Sequence, residues 1–438
     1  MQKNKTTKKI ITITLILVLL IVTNPIHFIA TSQADTTQKQ PLDQTKANDR
    51  FDNTIEFLLK IIHISALSVG IVKNNELIWT NGYGLYDREN NKAAADDTIY
   101  LVASISKMFT ATAIMQLYEQ GHFDLDDDIS DYLGYTLKNP KYPTTNITFR
   151  MLLAHQSSLA PDLATYFTKV IPGGLEISGY PHPFLQELLT PEGIYYRPQL
   201  WNDYAPGEDM YYSNIGFGVL GFLVQQISGQ PLEDYCRDNI FTPLGMNDTS
   251  FFFSNIDNQR AAVPYEYIQH QYIPYIHYHI LEYPAGNLRT TVLDLSRFLI
   301  LQMNNGTYEN TEILTPNTLE EMHTIQYPSD TYNFQYGLGF QIWQTPTTVK
   351  TGHTGGFFGV ATKMICKKSD DVGIIMFANK GVELLIESAI FSLIEELLFQ
   401  KATNHKYNTT WKSELAYTLK ENTFLFEDFR NYRNIPYI

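Results

Sequence analysis

Cysteine is nearly absent from this chain, with Cys236 and Cys366 as its only two. Their spacing fits neither a zinc site nor a redox pair, and both stand in apolar surroundings. Two buried free thiols are therefore expected rather than a disulfide. Basic residues are scarce too: 32 Lys and Arg face 46 Asp and Glu, for a formal net charge of −14 over 438 residues. Such a balance argues against nucleic acid or an anionic membrane as partner and says little about a small substrate. Internal repeats are missing. Asp124-Leu-Asp-Asp-Asp128 lacks the glycine and closing glutamate of a calcium loop and reads as a cap for a helix at Ile129–Leu133.

What is present begins with Lys3, Lys5, Lys8 and Lys9, followed by an uncharged apolar run from Ile10 to Val22. Asn24-Pro25 breaks the run, and Ser32-Gln33-Ala34 offers small residues to a signal peptidase. Residues 1–34 are expected to be a secretory signal peptide, because the run is short for a retained membrane anchor. Its removal leaves 28 basic against 46 acidic residues, a net −18. Residues 35–50 read as a polar tether. The remainder is long enough for one large domain or two closely packed lobes.

A stripe of Phe51, Ile55, Leu58, Leu59 and Ile62 predicts a helix. Strand-like runs at Ala66–Val72 and Leu77–Thr80 flank the polar turn Lys73-Asn-Asn-Glu76. Later strands are expected near Tyr336–Ile342, Val360–Cys366 and Val372–Ala378, and a covering helix at Val382–Phe399. Helix, antiparallel strands and helix in this order predict an α+β lobe with a covered sheet. The tyrosine-rich stretch Tyr265–His279 fits either a cleft wall or an aromatic surface loop.

Three short patterns carry chemistry. Ser104-x-x-Lys107 opens a segment where Met108, Ala111, Met115 and Tyr118 recur at helical spacing. Hydroxyl and amine then lie one turn apart on one side, where a neutral amine can take the hydroxyl proton. The helix start also offers backbone N–H groups to an oxyanion. Tyr212-x-Asn214 precedes an apolar helix from Ile215 to Ser228 and can present a phenol for proton transfer beside an amide for substrate binding. Finally, Lys350-Thr-Gly-His353-Thr-Gly-Gly356 is a glycine-dense strand edge that lets a substrate backbone come close. His155, ending an apolar helix, is expected to make a structural hydrogen bond rather than act as a base.

In this order the motifs resemble the penicillin-recognising serine hydrolases, whose relatives carry a Ser-x-x-Lys set. The resemblance extends from about Ser65 to Phe399 and is strongest for the branch holding class C β-lactamases, D-alanyl-D-alanine carboxypeptidases, D-aminopeptidases and esterases. It includes Pro206-Gly-Glu, Ser228-Gly-Gln, Pro243-Leu-Gly-Met246, Pro284-Ala-Gly286 and Phe377-Ala-Asn-Lys380. Gln156-Ser157-Ser158 and Asn287 depart from its usual pattern.

The resemblance implies an antiparallel sheet flanked by helices plus an all-helical lobe. The serine hydrolase domain would cover 51–400, with an α/β lobe at about 51–114 and 291–400 and a helical lobe at about 115–290. Residues 401–438 have no assigned counterpart. It further implies Ser104 as nucleophile, Lys107 as base, Tyr212 as proton relay and Asn214 as a substrate-positioning group. His353 and Thr354 would bind a substrate carboxylate or amide, alongside Gly355 and Gly356. Backbone N–H groups of Ser104 and Gly356 would form the oxyanion hole. Lys350 also fits the third motif, but the spacing from His353 to Ala378-Asn379 favours His353. No metal or organic cofactor is implied. The expected reading is a secreted D,D-carboxypeptidase or D-amino-acid peptidase, with β-lactamase or esterase activity as alternatives and a non-hydrolytic cell-wall-peptide-binding protein outside the class.

Overall fold

The computed structural model describes residues 44–160, 170–172, 184–328 and 334–403. The expected signal peptide, residues 35–43 of the tether and the stretch 404–438 lie outside the described residues. The chain divides into two compact units, Met1–Asp52 and Asn53–Ile438. Helix α1 (Gln44–Ile61) begins in the first, so the tether expected through residue 50 is helix from Gln44 onward.

Within the second unit α1 buries Ile55, Leu58 and Leu59. A hairpin of β1 (Ala66–Lys73) and β2 (Glu76–Asp87) follows. Its turn residues Asn74 and Asn75 have φ of 51° and 60°. Two left-handed residues in a row match the twist of the flanking strands, and asparagine tolerates that conformation. Strands β3 (Lys92–Ala93), β4 (Gln335–Tyr336), β5 (Gln341–Gln344), β6 (Val349–Phe357), β7 (Val360–Lys367) and β8 (Val372–Ala378) complete the sheet. Its order is β4-β5-β6-β7-β8-β1-β2-β3, antiparallel throughout.

Between β3 and β4 in sequence lie helices α2 (Ser106–Glu119), α3 (Asn214–Ser228) and α4 (Val292–Met303), with several shorter ones. Helix α5 (Leu385–Thr403) closes the described chain. Helices α4 and α5 cover opposite sheet faces. A Cβ added at Gly70 would sit 2.6 Å from Val292 of α4, while Lys73, three residues on, donates to Ala402 O of α5 at 2.9 Å. The sequence pattern suggested one apolar face for α2, but Ser106 through Met115 are buried on every side. A helix apolar all round belongs inside the molecule, and α2 packs against α3 there. Cys236 and Cys366 are buried free thiols.

Under the sheet, Glu395 of α5 accepts from Lys350 at 2.9 Å and Lys363 at 2.7 Å. Burial works against ionisation, but the two ammonium groups prevail and hold its carboxyl down at about 2. Glu395→Ala would leave two partly buried cations facing each other. It should cost about 3 kcal/mol in denaturant unfolding, as for other broken buried pairs. Acylation at Ser104 should be unaffected by the same change; a loss of acylation without a loss of stability would contradict this placement.

Candidate active site

Ser104 lies in a tight turn, Ala103–Ile105, that leads into α2. Ala103 is held at φ 48°. A left-handed alanine costs about 1 kcal/mol, a strain that persists only where the surroundings enforce it. The turn exposes Ser104 partly and sets its hydroxyl between two groups. Tyr212 Oη donates to Ser104 Oγ at 2.7 Å, and Lys107 Nζ lies 3.1 Å from the same oxygen.

Lys107 is fully buried. Its Nζ donates to Asn214 Oδ1 at 2.7 Å and to Ala285 O at 2.6 Å. Burial pushes its pKa well below the ordinary lysine value, against the opposing pull of Glu282. Nζ thus has three acceptors in reach, Asn214 Oδ1, Ala285 O and Ser104 Oγ; once the amine is neutral, two N–H bonds stay with the first pair and the lone pair faces Ser104. Burial raises the Tyr212 pKa, with a smaller opposing effect from the Ser104 hydrogen bond. Tyr212 is thus a phenol at neutral pH.

The Tyr212-Ser-Asn214 segment is the start of α3, capped by Ser213 Oγ accepting from Gly216 N at 3.2 Å. His155 pins it from behind. Its Nδ1 accepts from Ser213 N at 3.0 Å and its carbonyl from Tyr211 N at 2.9 Å. Accepting from a backbone N–H fixes the proton on Nε2, and the imidazole ring packs against those of Tyr212, Phe217 and Tyr336. Burial pushes His155 well below its usual pKa, and any proton on the nearby Lys107 amine would push it the same way. It makes the structural bond expected of it.

The third wall is β6. Pairing with β5 ends at Gly352, so the edge from Thr354 onward is uncovered by β5. Gly355 explains how this edge approaches the nucleophile: a Cβ there would lie 2.3 Å from Val102 O and 2.2 Å from Thr362 Oγ1. Gly355→Ala must push the strand away from the Ser104 turn. It should lower kcat/KM by about 10²-fold, the penalty typical of a 1 Å misplacement. Near-normal turnover in that variant would show that this contact does not set the edge. Gly356, one residue on, is exposed.

His353 and Lys350 leave β6 in opposite directions. Lys350 pairs with Glu395 of α5, whereas the His353 ring centroid is 6.4 Å from that of Tyr212. The expectation that His353 binds a substrate carboxylate or amide is narrowed by its surroundings. It is 1% exposed, and burial above all pushes its pKa well below the ordinary histidine value, an effect that any proton on the neighbouring Lys107 amine would add to. His353 is a neutral imidazole. Asn214 is corrected in part, since its carbonyl oxygen is committed to Lys107 and only its NH2 group is left to meet a substrate. Thr354 lies half-buried on the open edge, its N–H and hydroxyl turned to Gln341 Oε1 at 2.9 and 3.1 Å. Sequence reasoning did not find Gln341, Tyr336 or the Ala285 carbonyl as site groups. Only Ala285 stood in a recognised motif.

Comparison with known proteins identifies the family and the fold. The family described as Beta-lactamase matches residues 51–391. Protein flp of Staphylococcus aureus is 24% identical over 372 residues, covering 83% of this chain and 68% of that protein. A putative penicillin-binding protein, PbpX of Bacillus subtilis, is 27% identical over 347 residues, covering 78% and 77%. A D-amino acid amidase from Ochrobactrum anthropi SV3 shares the fold with a TM-score of 0.64 at 22% identity, covering 81% of this chain and 99% of the amidase. D-alanine carboxypeptidase AmpC from Burkholderia cenocepacia does so with 0.63 at 20% identity, covering 82% and 100%.

Proposed function

Because this chain belongs to the beta-lactamase family and is a serine hydrolase, we propose that it cleaves amide bonds of D-amino-acid peptides or amides through an acyl-enzyme on Ser104. The supporting observation is the Ser104 hydroxyl held between the Tyr212 phenol at 2.7 Å and the buried Lys107 amine at 3.1 Å. In acylation the Ser104 proton passes to Lys107 Nζ as Oγ bonds to the substrate carbonyl carbon. The carbonyl oxygen takes the negative charge, met by the N–H groups of Ser104 and Gly356. As the tetrahedral intermediate collapses, the bond to the leaving nitrogen breaks and that nitrogen takes a proton through Tyr212, resupplied from Lys107. Water, deprotonated by the same pair, then attacks the ester and restores Ser104.

The D-amino-acid preference draws on the fold shared with the amidase and carboxypeptidase, and on the His353-Thr-Gly form of the third motif. A panel of D-alanyl peptides, D-amino acid amides, a chromogenic cephalosporin and nitrophenyl esters tests it. The highest kcat/KM should fall on a D-configured amide. Preference for the cephalosporin or an ester would replace that substrate assignment while leaving the Ser104 chemistry in place.

An extracytoplasmic location follows from the amino-terminal segment, whose lysines and short apolar run suit export. Recovery of the protein with the cytoplasmic fraction of its native cell would overturn it. The domain assignment, 51–400 as one hydrolase unit, belongs to the same reading.

A further inference from the structure

The hairpin tip that follows Gly356 is held by more than its own strand pairing. Gly356 pairs with Ala361 and Phe357 with Val360, so β7 holds one side of this segment. Pairing with β5 stops at Gly352, and no β5 residue supports the other side. The segment leans on the nucleophile turn, since a Cβ on Gly355 would lie 3.2 Å from Ser104 N. The two N–H groups assigned to the oxyanion, those of Ser104 and Gly356, therefore keep their spacing only while this tip stays in place. Tyr278 reaches it from the short strand Tyr278–Ile280. Its Oη donates to Phe358 O at 2.7 Å, two residues past Gly356, and its ring lies 5.3 Å from that of Phe357.

Tyr278 is fixed in turn by Arg289, a cation only 2% exposed. The guanidinium donates to Tyr278 O at 2.6 Å and to Asn287 O at 3.0 Å, with the Phe253 ring 5.2 Å from its centre. Among the described residues no carboxylate pairs with it. A buried cation without an anion costs stability. What its planar fork provides is two carbonyls held at a set separation. The Asn287 side chain, which departs from the family pattern, ties the same two segments. Its Oδ1 accepts from Ile280 N at 3.2 Å, and its Nδ2 donates to Phe251 O at 2.9 Å. Asn287 directly follows the Ala285-Gly286 turn, whose carbonyl holds Lys107. A continuous polar path thus runs from the Lys107 acceptor through Arg289 and Tyr278 to the tip beyond Gly356.

We infer that Tyr278 is a positioning residue for the oxyanion hole, pinning the hairpin tip by its bond to Phe358 O so that the Gly356 N–H meets the reacting carbonyl oxygen. Arg289 holds Tyr278 where it can do so, and neither side chain touches substrate. This rests on the Ser104 acyl-enzyme reading and deepens it. Outright loss of one oxyanion donor costs about 10²–10³ in rate. A donor that is loosened costs less, and the loss falls where charge has developed on the oxygen, in the transition state, rather than on ground-state binding.

Tyr278→Phe isolates the bond. It keeps the ring beside Phe357 and the backbone carbonyl that Arg289 holds, and removes one oxygen. With p-nitrophenyl acetate and the full chain, kcat should fall about tenfold while KM stays within about twofold, the pattern of an interaction made only in the transition state. Phenylboronic acid gives an independent reading. Ser104 Oγ bonds to boron, its proton passes to Lys107, and boron becomes a tetrahedral anion with one hydroxyl oxygen in the oxyanion position. Its inhibition constant should rise about tenfold, in step with the fall in kcat. The control is Tyr86→Phe, which deletes a like phenol–carbonyl bond, to Gln259 O at 2.9 Å, at the end of β2. It should leave both readings at wild-type values. The inference is overturned if folded Tyr278→Phe keeps wild-type kcat or wild-type boronate affinity, if its loss lies in KM, or if Tyr86→Phe loses as much. Wild-type protein that shows neither ester turnover nor boronate inhibition overturns the acyl-enzyme reading, and this inference with it.

Discussion

Lys107→Ala should lower kcat/KM by about 10³-fold or more, in the upper part of the range for removal of a positioned general base. The amine sits 3.1 Å from the Ser104 oxygen and is fixed by Asn214 Oδ1 and Ala285 O. A neutral lysine is needed, because an ammonium has no lone pair for the Ser104 proton. Burial favours it by pushing the pKa well below 10.5. Acylation should therefore rise with pH through that lowered pKa and reach its plateau without strongly alkaline conditions. The same shift has a stability consequence. Between the lowered pKa and 10.5 an unfolded lysine binds a proton that the folded one does not, so the buried amine costs stability at lower pH and stability, like acylation, rises with pH across that window. Lys107→Ala should thus remain folded while losing acylation. Lys107→Arg should not rescue it, since a guanidinium keeps its proton. Single-turnover acylation rates across pH, with a thermal melt on each variant, check both halves.

Tyr212→Phe should lower kcat/KM by about 10²-fold while sparing the fold. The ring keeps its packing against His155 and Tyr336, and one oxygen is lost. What disappears is the 2.7 Å bond to Ser104 Oγ and the route by which a proton reaches the leaving group. The raised pKa of Tyr212 makes it a donor in the resting enzyme, so the defect should grow as the leaving group becomes more basic. Comparing alkyl amides with nitrophenyl esters of one acyl group reads this directly. Equal loss on both, or none on either, would remove the relay from the mechanism.

How far the sequence could reveal this site depended on how local each relationship is. Ser104 and Lys107 are three residues apart, and helical spacing alone sets them side by side. The β1–β2 hairpin was legible for a similar reason, through a polar turn between two apolar runs. Lys107 finds its other partners 107 and 178 residues away, a meeting that only the packed fold creates. The burial of His353 was not legible, because only the packed chain seals it among Tyr336, Tyr212 and β7. Burial is a property of the whole chain. The strained turn at Ala103 was hidden too, since nothing in Val-Ala-Ser-Ile marks a left-handed alanine. Spacing toward Ala378-Asn379 did carry information, because His353 and Lys350 emerge on opposite faces of β6 and only His353 reaches Tyr212.

The central claim is that Ser104 becomes covalently acylated. Full-length protein and Ser104→Ala are each treated with a fluorescent penicillin and a fluorophosphonate, digested, and the adduct is located by peptide mass. The predicted result is a single adduct on Ser104 with at least one probe, absent from a Ser104→Ala protein that melts at the wild-type temperature. An adduct on another serine, or folded wild-type protein that neither probe labels, would contradict it.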